Sequence, residues 1–226
     1  MRWPGRAPLG RAPGRARDAV TFTGRDGRRL LATVFSHTYH QSSVRIWDAT
    51  TGRALRRWGR PVRFRLPKDV HAIAVCGPGL IAACTPDRVR LWNGVTGARI
   101  RVPATRLTVQ FTGAPSLLTA FPADDGTVLL AAVNGDNAVR IWNPWTGALV
   151  AEPDSGHTGR MHALVTVPGS PARLASGGQD GTLRIWEPLS GAATRTLDTG
   201  APIHDLAAGP GAVFLAGPGG LTAIDI

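Results

Sequence analysis

Val70-His71-Ala72-Ile73, Met161-His162-Ala163-Leu164 and Ile203-His204-Asp205-Leu206 set a histidine in one slot of three related strings. A histidine there could bind a metal, move a proton or, once protonated below about pH 6.5, hold a carboxylate. Arg17 and Ser116 fill the same slot in two further strings, and Arg15 and Arg160 match each other two residues upstream of it. A metal needs several converging ligands, and strings two repeats apart hold His71 and His162 far from each other, so no metal is expected. The Arg, His and Ser set points instead to a receptor for an acidic segment of a partner, stronger as the histidines protonate. The plainer alternative is that each histidine caps its own loop with a hydrogen bond.

Other reactive side chains do not assemble into a recognisable centre. The sequence has no G-x-S-x-G elbow, no phosphate loop and no Cys-x-x-Cys pair. Asp124-Asp125 stands in Pro122-Ala123-Asp124-Asp125-Gly126, where aspartate favours turn formation. His37 and His40 are assigned to an enlarged loop with no further ligands nearby. Cys76 and Cys84 flank a hairpin turn at Gly77-Pro78-Gly79 that sets Cys84 opposite Ala72. That spacing separates the sulfurs by about 13 Å, beyond the roughly 7 Å between Cα atoms that a disulfide tolerates, so both are read as reduced, packed thiols. An enzyme is not expected, and neither is a cofactor.

Composition narrows the class. A chain of 226 residues can bury roughly 70% of its unfolded surface, enough for a true core. No long apolar run or secretory h-region follows the basic N-terminus, which excludes a spanning helix or signal peptide by pattern and makes a cytoplasmic location the default. Of 26 basic residues only Lys68 is lysine, as in the coding bias of a GC-rich bacterial genome. Residues 1–101 hold 20 basic and 5 acidic side chains, a net charge of +15, whereas 102–226 hold 6 and 10, a net −4. Clustered arginine can bind nucleic acid or another polyanion by counterion release. No zinc-finger spacing, helix-turn-helix pattern or aromatic-interleaved basic strand accompanies it, so nucleic acid is the lesser expectation.

The positions of these residues are set by a repeat. SVRIWDATTGRAL from Ser43, RVRLWNGVTGARI from Arg88, AVRIWNPWTGALV from Ala138 and TLRIWEPLSGAAT from Thr182 are versions of one string. Within each, apolar residues alternate with others before x-x-[ST]-Gly and a second apolar stretch, which reads as a hairpin. Gly52, Gly97, Gly147 and Gly191 suit the left-handed position that closes it, and Pro144 and Pro188 suit the turn itself. Two more strand-like runs precede each hairpin, best seen in 161–167 and 172–178 around Pro168-Gly169-Ser170-Pro171. Trp47, Trp92, Trp142 and Trp186 are 45, 50 and 44 residues apart. Four short strands repeating at such a period mean β-propeller blades.

From residue 15 onward these strings resemble the WD-repeat family, most specifically over residues 156–187, which open with Gly156-His157 and reach Ile185-Trp186-Glu187. The resemblance implies that His157, Ser176, Asp180 and Trp186 form a hydrogen-bonded structural tetrad. Only the first copy keeps a literal Trp47-Asp48; Asn93 and Asn143 replace that Asp in the next two, and Ala83 and Ala132 stand where Ser176 stands. Blades without the tetrad should depend more on packing.

The expected fold is all-β, a propeller of about five blades. Four are complete, and a partial fifth runs through 202–208 and 212–217 to a final stretch where Ile224 takes the place of Trp186. Either the ring is small and imperfectly closed or the chain is an open arc whose end blades invite self-association. Residues 1–14, with Pro4, Pro8 and Pro13, are read as a disordered segment, and 15–226 as the propeller domain. The resemblance further implies a non-catalytic scaffold offering loops and a top face to protein partners, with the histidine slot at that face. Trp145, in the turn of the third hairpin, is expected to be partly exposed and available as an anchor.

Overall fold

The computed structural model describes residues 15–24, 26–37, 41–57, 60–61, 63–66, 70, 72–85, 88–100 and 116–226. Residues 1–14, His40 and His71 lie outside that set. The chain forms two compact units, Met1–Arg101 and Val102–Ile226. None of the described residues forms a helix able to cross a membrane. The fold is all-β, and its described part consists of five antiparallel sheets of the propeller-blade type plus one two-stranded ribbon.

Unit 1 carries the first two sheets. β1 (Arg15–Thr23), β2 (Arg29–His37) and β3 (Gln41–Asp48) form a meander. After β3, Ala54 makes a single bridge to Trp47, and β4 (Arg56–Arg57) folds back on β5 (Arg60–Pro61). The fourth place in the sheet is filled by β6 (Arg63–Leu66), with Val44 opposite Phe64. The sequence reading put the outer strand directly after the Gly52 turn. Consecutive arginines at 56–57 break the period-two pattern there, whereas Arg63-Phe64-Arg65-Leu66 restores it. His37 also departs from its expected loop: β2 extends through it, opposite Gln41. The second sheet comprises β7 (Ala72–Val75), β8 (Leu80–Thr85), β9 (Arg88–Asn93) and β10 (Arg99–Ile100). Ala72 pairs with Cys84, as the turn at Gly77–Gly79 dictates. Phe22, Val34, Ile46, Ile73, Ile81 and Trp92 share one buried cluster between these sheets.

Unit 2 carries three sheets. The third consists of β11 (Leu117–Pro122), β12 (Val128–Val133), β13 (Val139–Trp142) and β14 (Leu149–Ala151). The fourth consists of β15 (Met161–Val167), β16 (Arg173–Gly178), β17 (Thr182–Trp186) and β18 (Ala193–Asp198). The fifth has β19 (Asp205–Gly209), β20 (Ala212–Gly217) and β21 (Gly220–Asp225), with no fourth strand among the described residues. One apolar cluster joins the third and fourth sheets around Ile141, Leu174 and Trp186. Another joins the fourth and fifth around Ile185, Ile203 and Val213.

The hairpins share one turn chemistry. Gly52, Gly97, Gly147 and Gly191 have φ of 68°, 72°, 72° and 72°, the left-handed conformation that a side chain resists. Asp48 Oδ1 accepts the N–H groups of Thr50 and Thr51 at 2.9 and 2.8 Å. Asn93 does the same for Val95 and Thr96, and Asn143 for Trp145 and Thr146. A short side-chain oxygen is all this cap requires, which is why asparagine serves in place of aspartate.

Candidate functional site

Strand register defines the histidine slot. Asp18 pairs with Val34, Ala72 with Cys84, Leu117 with Val133, Ala163 with Gly177 and Asp205 with Ala216. The residue immediately before each of these is Arg17, His71, Ser116, His162 or His204. In β1 and β15 the ladder slips between Ala16 and Asp18 and between Met161 and Ala163, so Arg17 and His162 are bulge residues. A bulge re-aims its side chain away from the regular alternation. Ser116 and His204 instead donate their backbone N–H to Val133 and Ala216, at 2.9 and 2.8 Å.

Within unit 2 the slot residues of the fourth and fifth sheets meet. The rings of His162 and His204 lie 6.1 Å apart, tilted by 56°. His162 is half-buried and its Nδ1–H donates to Ile203 O at 3.1 Å, a bond to the following sheet rather than to its own loop. That bond orients the imidazole and uses its Nδ1. His204 and Arg160 are exposed, and Ser116 is half-buried. In unit 1 Arg17 is exposed, and Arg15 begins β1. Protonated, the His162 and His204 rings from consecutive sheets can donate N–H groups to carboxylates, a charge-assisted arrangement. Among the described residues no group of three or more His, Cys, Asp or Glu is arranged to hold a metal ion.

His157, Ser176, Asp180 and Trp186 form a continuous hydrogen-bonded chain in the fourth sheet. Trp186 Nε1 donates to Ser176 Oγ at 3.0 Å, and Ser176 Oγ lies 2.8 Å from His157 Nε2. His157 Nδ1 lies 2.9 Å from Asp180 Oδ2. The chain is satisfied by a neutral imidazole that donates from Nδ1 and accepts at Nε2. Burial of its ring holds the His157 pKa below the usual histidine value, against the opposing pull of Asp180. Burial tends to raise the Asp180 pKa, but hydrogen bonds from His157 and Thr182 outweigh it and leave it well below the carboxylate range.

Three partners escaped the sequence reading. Thr182 Oγ1 donates to Asp180 Oδ1 at 2.9 Å. In the first sheet Trp47 Nε1 donates to Thr33 Oγ1 at 2.7 Å. Thr33 holds the Ser176 position, because Trp47 pairs with Leu31 as Trp186 pairs with Leu174. Asn137, with φ of 65°, holds the Gly181 position and ties the third sheet to the fourth. Its Nδ2 donates to Gly159 O at 3.1 Å, and its Oδ1 accepts Met161 N–H at 2.7 Å. The alignment of Asn137 with Gly181, in the turn after Asp136, was the available signal.

Trp145 is 47% exposed, beside exposed Leu149 and Val150 on β14. Cys76 is a buried free thiol whose pKa is pushed up to about 12 by burial. Residues 151–187 match the family model described as WD domain, G-beta repeat. No curated protein matches the chain.

Proposed function

We propose that the chain, which carries a WD repeat at residues 151–187 and sheets of the propeller-blade type, is a protein-interaction scaffold of the WD-repeat propeller family whose slot residues receive acidic segments of a partner. Propellers of this family commonly mediate protein interactions and are typically non-catalytic. The observation that carries the reading is the approach of His162 and His204 from consecutive sheets, with His162 anchored by the Ile203 carbonyl. Protonated, the His162 ring can donate from Nε2 while Nδ1–H keeps its bond to Ile203 O, so it loses little freedom when it grips a carboxylate. Ser116 and Arg160 supply further polar groups from the same unit, and Trp145 is a separate exposed anchor. Arg15, Arg17 and His71 hold the corresponding sequence positions in unit 1, His71 outside the described residues. Self-association is the other partner reading and concerns the fifth sheet.

The test is fluorescence anisotropy with a labelled Asp/Glu-rich peptide, using wild type, His162→Ala and His204→Ala. Saturable binding that weakens about tenfold in each variant supports the reading, since a charge-assisted hydrogen bond is worth about 1.5 to 3 kcal/mol. Unchanged peptide affinity in both variants contradicts it. Strong, salt-sensitive binding of a labelled oligonucleotide that also survives both substitutions would favour polyanion binding through the basic half instead.

A further inference from the structure

A cleft of about 310 Å³ lies inside unit 2, between the fourth and fifth sheets. Its floor is apolar: Ile203 and Leu215 are buried, and Leu197 and Ile224 are half-buried. Asp198 and Thr222 stand exposed at its rim. The volume falls at the lower end of the range for small-molecule sites, and apolar walls with a few polar groups are their usual lining.

Register with the fourth sheet explains why the cleft exists. Asp205 pairs with Ala216 as Ala163 pairs with Gly177, which aligns Leu215 with Ser176 and Val213 with Leu174. Ser176 pairs with Arg184 and Leu174 with Trp186, whereas Leu215 pairs with Thr222 and Val213 with Ile224. Ile224 therefore stands in place of the Trp186 indole, and Thr222 in place of the Arg184 guanidinium. The connecting loops differ as well. Asp154 Oδ1 accepts Gly156 N–H and Asp198 Oδ1 accepts Gly200 N–H, both at 2.8 Å, and the two glycines have φ of 68° and 70°. Four residues separate Gly156 from Met161, but two separate Gly200 from Ile203, so His157 and Thr158 have no counterpart. A Cβ on Gly156 would come within 2.5 Å of Arg184 Nη1, so the guanidinium covers that turn. A Cβ on Gly200 would meet nothing within 4 Å among the described residues. The fifth sheet thus lacks an indole, an imidazole and a guanidinium that the fourth sheet packs into the corresponding place.

A ligand that fits restores those groups. A flat ring takes the room of the two missing rings over Leu215 and Ile224, and a cation takes the place of the missing guanidinium. Asp198 is the one charged residue in the cleft wall, and its Oδ2 has no partner among the described residues, so a cation is attracted and a carboxylate repelled. We propose that this cleft binds a small aromatic cation, an indole-sized ring bearing an ammonium or guanidinium group, with the ring on Leu215 and Ile224 and the cation on Asp198. Every wall belongs to unit 2, and neither His162 nor His204 lines it, so the site is independent of the acidic-partner reading.

An NMR titration of the full chain with tryptamine tests this, read at the amide signals of Gly219 and Gly220 in the cleft wall. Saturable shifts with a dissociation constant of about 1 mM or tighter are expected for a ligand of this size. Indole-3-propionate, with the same ring and the opposite charge, is expected to bind more weakly. Asp198→Asn keeps the acceptor for Gly200 N–H but removes the charge, and is expected to weaken tryptamine about fivefold, the upper end for an exposed ion pair. Ile224→Trp fills the cleft with an indole of the chain itself and is expected to abolish binding, with circular dichroism confirming that the strands remain. Absence of saturable shifts overturns the proposal, as does equal affinity for indole-3-propionate. Unchanged affinity in Asp198→Asn, or in a folded Ile224→Trp, overturns it too.

Discussion

The indole of Trp186 donates to Ser176 Oγ, which in turn lies 2.8 Å from the ring of His157. Trp92 occupies the same register position in the second sheet, but there Ala83 stands where Ser176 does. Trp186→Ala is therefore expected to cost more than Trp92→Ala. Both lose apolar burial worth about 3 to 5 kcal/mol. Only Trp186→Ala also breaks into a His–Ser–Asp chain, leaving buried groups short of a partner at about 1 to 3 kcal/mol. Urea unfolding of the two variants checks this; equal losses would mean that the hydrogen-bonded chain adds nothing.

Acid should weaken the same chain in two stages. His157 titrates in the folded state below its usual 6.5, and Asp180 below its usual 3.8. The unfolded chain thus binds more protons, so stability rises with pH. The His157 contribution is complete above about pH 6.5 and fades as pH falls past its folded value; the Asp180 contribution is complete above about pH 4 and fades further down. Urea midpoints measured from pH 7 to pH 3 should fall in that order. His157→Ala should flatten the first stage, and an undiminished first stage in that variant would assign it elsewhere.

Asn137 separates conformation from hydrogen bonding. Asn137→Gly keeps the left-handed φ but loses the bonds to Gly159 and Met161, an expected loss of about 1 kcal/mol for each. Asn137→Ala loses the same bonds and adds backbone strain of about 1 kcal/mol or more. Melting curves that rank glycine below alanine would contradict the assignment.

Trp145 should behave as a surface residue. Trp145→Phe is expected to remove a red-shifted, iodide-quenchable part of the emission and to leave stability within about 0.5 kcal/mol. Loss of a blue-shifted component instead would mean that the ring is shielded in solution.

Much of this architecture was legible because period-two alternation and a spaced tryptophan are local signals. β15 and β20 begin and end where their apolar patterns do, and the four left-handed glycines follow from the hairpin string alone. The aligned slot could be counted from the same strings. The outer strand of the first sheet was not legible, since nothing local says that Arg56–Arg57 will fold back and yield its place to Arg63–Leu66. Thr33 and Thr182 were hidden for another reason. A hydroxyl can stand in for serine or brace an aspartate only where register brings it close, and register is a property of the paired strands.

The most direct measurement is the histidine ring signals in an NMR titration with the Asp/Glu-rich peptide, assigned by single substitution. Saturable shifts at His162 and His204, with the buried His157 ring unmoved, are the expected result. Binding that leaves the His162 and His204 signals in place would contradict the assignment of this surface to the partner.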